Sequence, residues 1–398
     1  MRRSTDARSR VREFDVVVLG AGSTGEVAAG RLGQNGLSVA IVEQSLVGGD
    51  CSFYACMPSK ALLRPIDLAR EVARVPGLHV GPIDVAAVLA RRDEVTNHLD
   101  DAHQLPWLEQ HGVTLVRGHA RLSGERRVVV GDETLQARKA VVIATGSSAL
   151  VPDIPGLHDA RPWTNHEATS AESVPARLAI LGGGVVGVEM AQVYRGLGAE
   201  VTLVHREQRL IEREEPFASE QLCDSLRESG VDVRLATSAT RVSRDGVVSI
   251  ELDDGTRIEA DEVLVAVGRE PRTRDLGLAE LGLEEGKVIE VGDDLRVPGH
   301  DWLFAAGDVN GRVLLTHMGK YQARLIADTI MGKEVRLRSD GARSPRVIFT
   351  DPQVAAVGLT LAGAAQAGLR VRHVDVDTNG NAGGSFIGRG APGTARLV

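Results

Sequence analysis

Two copies of the pattern G-x-G-x-x-G constrain this 398-residue chain more than any other feature. The first, Gly20-x-Gly22-x-x-Gly25, follows an apolar run at 15–19. The second, Gly182-x-Gly184-x-x-Gly187, follows one at 178–181. Short apolar runs of this kind suit strands buried on both faces. The glycine spacing then has a physical reading. The first glycine permits the tight turn, and the second lets the backbone approach a pyrophosphate. The third allows close helix–strand packing, and the helix N-terminus faces the phosphates. One such pattern is a weak signal. Two with the same flanks predict two βαβ units, each able to hold a dinucleotide.

The residue that ends the second strand of such a unit contacts the adenosine ribose. In the first unit this is Glu43, 18 positions after Gly25. A carboxylate there accepts from both ribose hydroxyls and repels a 2′-phosphate, which suits FAD or NAD. In the second unit the equivalent position, 18 after Gly187, is His205, followed by Arg206. A guanidinium attracts a 2′-phosphate, so the second site leans toward NADP.

Composition sets the outer bounds. At roughly 100–200 residues per domain, two to four domains are expected. Charged residues make up 25% and hydrophobic residues 43%, as in an ordinary globular chain rather than a fibrous or disordered one. The formal net charge of −8 argues against a nucleic-acid or membrane-surface partner. With aromatics at only 3%, a stacking platform for single strands is not expected. No apolar run reaches transmembrane length. Residues 1–13 carry five arginines and no apolar stretch, so they read as a disordered basic arm rather than a secretory signal. A cytoplasmic location is expected.

Along the chain, helix is expected over 26–34, strand over 37–42, a helix after Pro58 that stops near Pro76 and Gly77, and helix again over 84–111. Residues 113–122, 127–130 and 134–144 read as antiparallel strands. Pro152, Pro155 and Gly156 mark a crossover into the second βαβ unit. That unit closes near residues 268–271. The chain then returns to the first domain through residues 303–308 and a helix over 317–331, before a strand-rich piece from 345.

The three cysteines do not make a structural disulfide framework. Cys223 lies on an expected helix with Leu222 and Leu226 and reads as a core residue. Cys51 and Cys56 are the informative pair. Pro58 fits the first turn of a helix. Cys56 would then sit at that helix's N-terminus, where free amides and the dipole stabilise a thiolate. Residues five apart in a regular helix rise about 7.5 Å, beyond the about 4.4–6.8 Å Cα separation of a disulfide. A bridge between them needs an irregular turn, which makes it easier to reduce. A metal site would need further ligands, and no second Cys or Cys-His pair of suitable spacing is present. Two buried thiols are the other reading.

The segment from Gly48 and Gly49 through Cys51, Cys56 and Lys60 resembles the redox-active segment of the class I pyridine nucleotide–disulfide oxidoreductases. This family includes dihydrolipoamide dehydrogenase, glutathione reductase, mycothione reductase and mercuric reductase. Further segments carry the same resemblance. They are Ala144-Thr145-Gly146-Ser147, Val267-Gly268-Arg269-Glu270-Pro271, Ala306-Gly307-Asp308 and residues 349–358. The resemblance implies an α/β fold of two Rossmann-like domains, for FAD and NAD(P), with a partial α+β dimerisation domain. It divides the chain into 14–150 and 272–343 (FAD), 151–271 (NAD(P)) and 344–398 (dimerisation).

It also implies roles. Cys56 would be the thiolate in charge-transfer contact with the flavin, and Cys51 the thiol that attacks the substrate. Lys60 would lie near the reactive edge of the isoalloxazine and pair with Glu189. Asp308 would bind the ribityl chain of FAD. Gly49, Thr145, Gly146, Gly268 and Gly307 would line the cofactors. Thr316 would cap a helix aimed at the flavin.

The chain departs from the family at Asp50, at Ser52, Phe53 and Tyr54, and at Ala55, where Thr, Asn and Gly are usual. The bulk of Phe53 and Tyr54 puts the familiar substrates in doubt. No His-Pro pair with a downstream Glu follows Val354, so a fragment or shortened form is expected. The function implied is an FAD enzyme that passes electrons between NAD(P)H and a disulfide or dithiol through Cys51 and Cys56, in the manner of dihydrolipoamide dehydrogenase, as a homodimer. Mercuric, glutathione or mycothione reduction, or a non-catalytic FAD-binding role, are the alternatives.

Overall fold

The computed structural model describes residues 10–388, 390 and 393–398. Among them, those up to Phe53 join Leu99–Ser148 and Glu270–Ser344 in one compact unit. Tyr54–His98, Ala149–Arg269 and the residues from Pro345 onward make the other. The chain first passes between them inside the segment bounded by the two cysteines.

The first unit is built on a seven-stranded sheet. Its order is Val113–Arg117, Val39–Glu43, Arg10–Leu19, Glu133–Ile143, Arg127–Val130 and Ala120–Leu122, with Leu303–Ala305 also on Glu133–Ile143. The strand Arg10–Leu19 lies parallel to both its neighbours, with Val16 opposite Val39 on one side and Ala140 on the other. Val16, Val17, Val18 and Leu19 are fully buried, as their unbroken apolar run requires. The helices Ser23–Gln34 and Thr316–Ile330 pack together in this unit, tied by a two-pronged contact from Arg31 to Asp328 at 2.8 and 3.0 Å.

Several sequence expectations change here. The arm at 1–9, with Arg2, Arg3 and Arg8, lies outside the described residues. Residues 10–13 are strand, because they add ladder pairs to residues 133–136. The stretch 113–122 is split by Gly118 at φ 140. Val113–Arg117 runs parallel to Val39–Glu43, and only Ala120–Leu122 is antiparallel to its partner. The helical stretch 84–111 breaks into Val85–Val95 and Leu105–Gln110, because Asn97, His98 and Leu99 all adopt positive φ. Thr316 is the first helical residue rather than the cap, a position Leu315 takes.

The second unit centres on four parallel strands in the order Asp232–Arg234, Glu200–Val204, Arg177–Leu181 and Glu262–Val265. A three-stranded antiparallel sheet, Ala239–Asp245, Val247–Leu252 and Arg257–Ala260, accompanies it. The helix Cys56–Arg74 belongs to this unit. Its Leu62, Leu63 and Ile66 recur at helical spacing and share one core with Val188 and Ala191 of the helix Val185–Gly196, and with Ile180 and Leu264 of the sheet. Burying each large aliphatic chain contributes about 1.5–3 kcal/mol. That packing is why 54–98 clusters with 149–269, although the sequence places it in the first domain. Ion pairs help to hold the segment from Pro345 in the same unit, among them Arg74 to Asp351 at 2.7 Å. Arg346 forks onto Glu214 at 2.6 and 2.9 Å, and Arg396 reaches Glu215 at 2.8 Å.

Candidate active site

The first glycine loop has the geometry its spacing demands. Gly20 sits at φ 99, where a Cβ would fall 2.5 Å from the Ala144 carbonyl oxygen. At Gly25 a Cβ would lie 1.9 Å from the Gly20 oxygen, so helix and strand approach too closely for any side chain. Gly22 caps the helix Ser23–Gln34 without a side-chain bond, leaving an open cradle of first-turn amides. Gly49, at φ 61, packs its backbone on Gly22. Glu43 ends the second strand, and its carboxylate accepts from the amides of Ala21 at 2.7 Å and Ser45 at 2.8 Å. It is thereby turned onto the loop.

Elsewhere in this unit, Thr145 donates to the Arg272 carbonyl at 2.7 Å, and Gly146 adopts φ 73. The Ser147 hydroxyl donates to Asp308 at 2.6 Å. The Gly307 amide and the Asn310 side chain both donate to Gln322 Oε1 at 2.9 Å. Gln322 Nε2 is buried and has no hydrogen-bond partner among the described residues. The uncapped glycine cradle, the turned carboxylate and this orphaned donor fit a dinucleotide held along the loop toward Asp308. Sequence reasoning missed Glu26, in the first turn of the helix. Burial pushes its carboxyl up to about 7, against the pull of Lys320. Cys51 lies half-buried in the short helix Gly49–Phe53 of this unit, next to Asp50, which Arg272 approaches at 3.4 Å.

In the second unit, Cys56 is the first residue of its helix and is half-buried. The two cysteines thus fall on separate helices. Ala55 between them is non-helical, at φ −140 and ψ −95. Lys60 lies one helical turn beyond Cys56, on the same face. Its ammonium donates to Glu189 Oε2 at 2.8 Å and sits 4.5 Å from the centroid of the Phe349 ring. The other Glu189 oxygen accepts from the Phe349 amide at 3.0 Å. Glu189 is buried, at 4% exposure, so both its oxygens are used where water is scarce. Gln192, one turn further, accepts from the Asp351 amide at 2.8 Å and donates to Asp67 at 2.8 Å.

The second glycine loop repeats the first. Gly182 sits at φ 115 with the Ala266 carbonyl 2.4 Å from a Cβ, and Gly187 packs on Gly182 as Gly25 does on Gly20. Gly184 caps its helix with nothing within 4 Å of a Cβ. The end of the second strand differs. His205 is buried, and its Nδ1 accepts from the Gly183 amide at 3.0 Å, with Nε2 3.3 Å from Glu212. It is used to hold the loop. Arg206 is exposed and pairs with Glu207 at 3.0 Å. Arg209 Nη1 is buried and has no partner among the described residues. Gly268, at φ 159, accepts at its carbonyl from the Leu150 amide at 3.0 Å.

Among the described residues, no group of three or more His, Cys, Asp or Glu side chains is gathered as for a metal ion. Among the same residues, no helix is long and apolar enough to cross a membrane.

Most of the chain matches known proteins. Residues 14–323 match the family model described as pyridine nucleotide-disulphide oxidoreductase, and residues 344–398 match that family's dimerisation domain. A mercuric reductase of Staphylococcus aureus is 32% identical over 92% of this chain and 68% of its own length. A dihydrolipoyl dehydrogenase of Haloferax volcanii is 34% identical over 89% of this chain and 78% of its own. A glutathione reductase of Burkholderia cepacia is 32% identical over 93% and 82%. Among solved structures, the Cu(II) complex of the HOCl-induced flavoprotein disulfide reductase RclA from Escherichia coli superposes with a TM-score of 0.84. It is 25% identical, over 96% of this chain and 85% of that one.

Proposed function

Because the chain belongs to the pyridine nucleotide-disulphide oxidoreductase family, we propose that it uses FAD and NADPH to reduce the Cys51–Cys56 disulfide and passes the electrons on to a small disulfide. Oxidation of a dithiol, as by dihydrolipoamide dehydrogenase, is the same chemistry run in reverse. The observation that carries the reading is the Lys60–Glu189 ion pair, one helical turn past Cys56. A fixed cation there, with the helix N-terminus, favours a thiolate at Cys56.

FAD, when bound, supplies two-electron exchange between a nicotinamide and a dithiol. The chain's own groups do the rest. Gly20, Gly22 and Gly25 present the first-turn amides to a pyrophosphate, and Glu43 accepts from ribose hydroxyls. Asp308, oriented by Ser147, accepts from the ribityl chain. Cys51 attacks one sulfur of the acceptor disulfide, forming a mixed disulfide and releasing the first thiolate. Cys56 then attacks the Cys51 sulfur. The internal disulfide re-forms and the second thiolate leaves.

NADPH is favoured over NADH by Arg206 and by the unpartnered Arg209 Nη1. Glu207, paired with Arg206 at 3.0 Å, moderates that preference. Mercuric ion is the second acceptor to consider, because several relatives are named mercuric reductases and a thiolate pair suits a soft cation. The dimerisation-domain match supports a homodimer.

The test is NADPH oxidation by the purified flavoprotein against lipoamide, glutathione disulfide, mycothione, quinones and mercuric ion. Turnover with a disulfide that disappears in both Cys51→Ser and Cys56→Ser supports the reading. Turnover that survives both substitutions overturns it.

A further inference from the structure

Tyr54 departs from the family pattern in the residues that lead into Cys56, and its ring has a partner the proposed chemistry does not use. The rings of Tyr54 and His166 stack face to face, with centroids 3.9 Å apart and planes within 5°. We infer that His166 is a positioning residue. Through this stack it clamps the loop that leads into Cys56, and so sets the reactivity of the Cys56 thiolate. The inference rests on the reading of Cys56 as the flavin-side thiol.

The stack is mounted on a well-braced platform. His166 lies in the first turn of the helix Asn165–Ser170. Thr164 and Glu167 form a capping box at its start, with the Thr164 amide donating to Glu167 at 2.7 Å. At its other end, buried Arg92 donates to the carbonyls of Thr169 at 2.9 Å and Ala171 at 3.0 Å. The Tyr194 hydroxyl adds a bond to the Ala168 carbonyl at 2.7 Å. The helix packs against Cys56–Arg74. A short helix held at both ends in this way has little freedom to follow the loop. The loop must follow it.

A second contact grips the same residue. Asn165, buried at 6% exposure, donates to the Tyr54 carbonyl at 2.9 Å, and its oxygen accepts from Arg269 at 3.3 Å. Tyr54 is therefore held at both ring and backbone. Only Ala55 separates it from Cys56, and the Ala55 carbonyl already accepts the amide of Ser59 at 3.0 Å. Two residues span at most about 7 Å of chain, so a shift at Tyr54 is passed to the first turn of the Cys56 helix. A thiolate stabilised by first-turn amides depends on that placement.

Stacked rings contribute modestly beyond their burial, enough to bias a loop but not to fold a domain. Loss of the stack should therefore change Cys56 without unfolding the protein. The experiment uses the FAD-loaded protein in a Cys51→Ser background, so that Cys56 is the only thiol of the pair. The readouts are the rate at which iodoacetamide alkylates Cys56 at pH 7, followed by peptide mass spectrometry, and the long-wavelength absorption of its thiolate beside oxidised flavin. His166→Ala is expected to slow alkylation fivefold or more and to weaken the band by at least half. His166→Phe, which keeps a flat ring, should restore both to within twofold. Tyr54→Leu should match His166→Ala. Alkylation of buried Cys223 should stay unchanged throughout, which excludes a general loosening.

An unchanged or faster Cys56 rate in His166→Ala overturns the inference, as does a His166→Phe variant that behaves like His166→Ala. If the background protein has no long-wavelength band at all, the reading of Cys56 as the flavin-side thiol fails instead. The clamp is then decided by the alkylation rates alone.

Discussion

Replacing Glu189 by Leu should destabilise the protein by about 2–4 kcal/mol, and replacing it by Gln by about half as much. The size follows from what each oxygen does. Glu189 is 4% exposed, and its two oxygens serve two donors, Lys60 Nζ at 2.8 Å and the Phe349 amide at 3.0 Å. Leu leaves both without an acceptor. The amide is part-buried, and an orphaned buried donor costs about 1–3 kcal/mol. The Lys60 side chain is 36% exposed, so its ammonium can turn to water. The ion pair's share is then discounted for screening to about 1 kcal/mol. Gln keeps one oxygen for one of these donors and gives up the charge. The assay is urea unfolding of wild type, Glu189→Leu, Glu189→Gln, Lys60→Met and the Lys60→Met/Glu189→Leu double variant, all with the same flavin content. The double-variant cycle isolates the Lys60–Glu189 term. A Leu variant within 0.5 kcal/mol of wild type, or a Gln variant as unstable as Leu, would refute the two-donor account.

Other outcomes follow from single groups. Burial, with the Asp351 charge next in size, pushes the Asp67 carboxyl from 3.8 up to about 6. Ionised Asp67 therefore opposes folding. The penalty is absent below about pH 4, grows through the window to about pH 6, and is complete above it. Asp67→Asn should stabilise by about 1–2 kcal/mol at pH 7.5, after discounting for its half-exposed position, and by nothing at pH 3.5. A gain that is the same at both pH values contradicts this. Glu43→Ala should weaken FAD binding to the deflavinated protein by about 1–3 kcal/mol in a fluorescence titration. An unchanged affinity removes Glu43 from the site. Wild type should favour NADPH over NADH about tenfold in kcat/KM, equivalent to about 1.4 kcal/mol, and Arg206→Ala should erase most of that ratio. A wild type that prefers NADH defeats the phosphate reading.

The parts of the fold that were legible in the sequence are those fixed by local sterics. Gly20, Gly25, Gly182 and Gly187 mark places where a Cβ would meet backbone, so their spacing announces the two loops directly. What escaped depends on distant partners. Val113–Arg117 runs parallel because it pairs with Val39–Glu43, far upstream, and nothing in its own residues says so. Residues 54–98 join the second unit because Leu62, Leu63 and Ile66 fit Val188 and Ala191, a match of surfaces rather than of pattern. In the site, the Lys60–Glu189 pair follows from the resemblance. The inward turn of His205 does not, because a strand-end histidine reads the same whether it faces solvent or the Gly183 amide. The Tyr54–His166 stack was equally hidden, although Tyr54 itself stood out as a departure from the family pattern.

The central claim is that electrons from a nicotinamide reach the Cys51–Cys56 pair. It is tested most directly by differential alkylation of the air-oxidised flavoprotein, before and after one equivalent of NADPH under anaerobic conditions. Peptide mass spectrometry reads each cysteine. The account predicts that Cys51 and Cys56 are protected before NADPH and labelled after it. Cys223, buried in its helix with its thiol pKa raised by burial, should remain unlabelled in both states. Equal labelling of Cys51 and Cys56 with and without NADPH would contradict the claim.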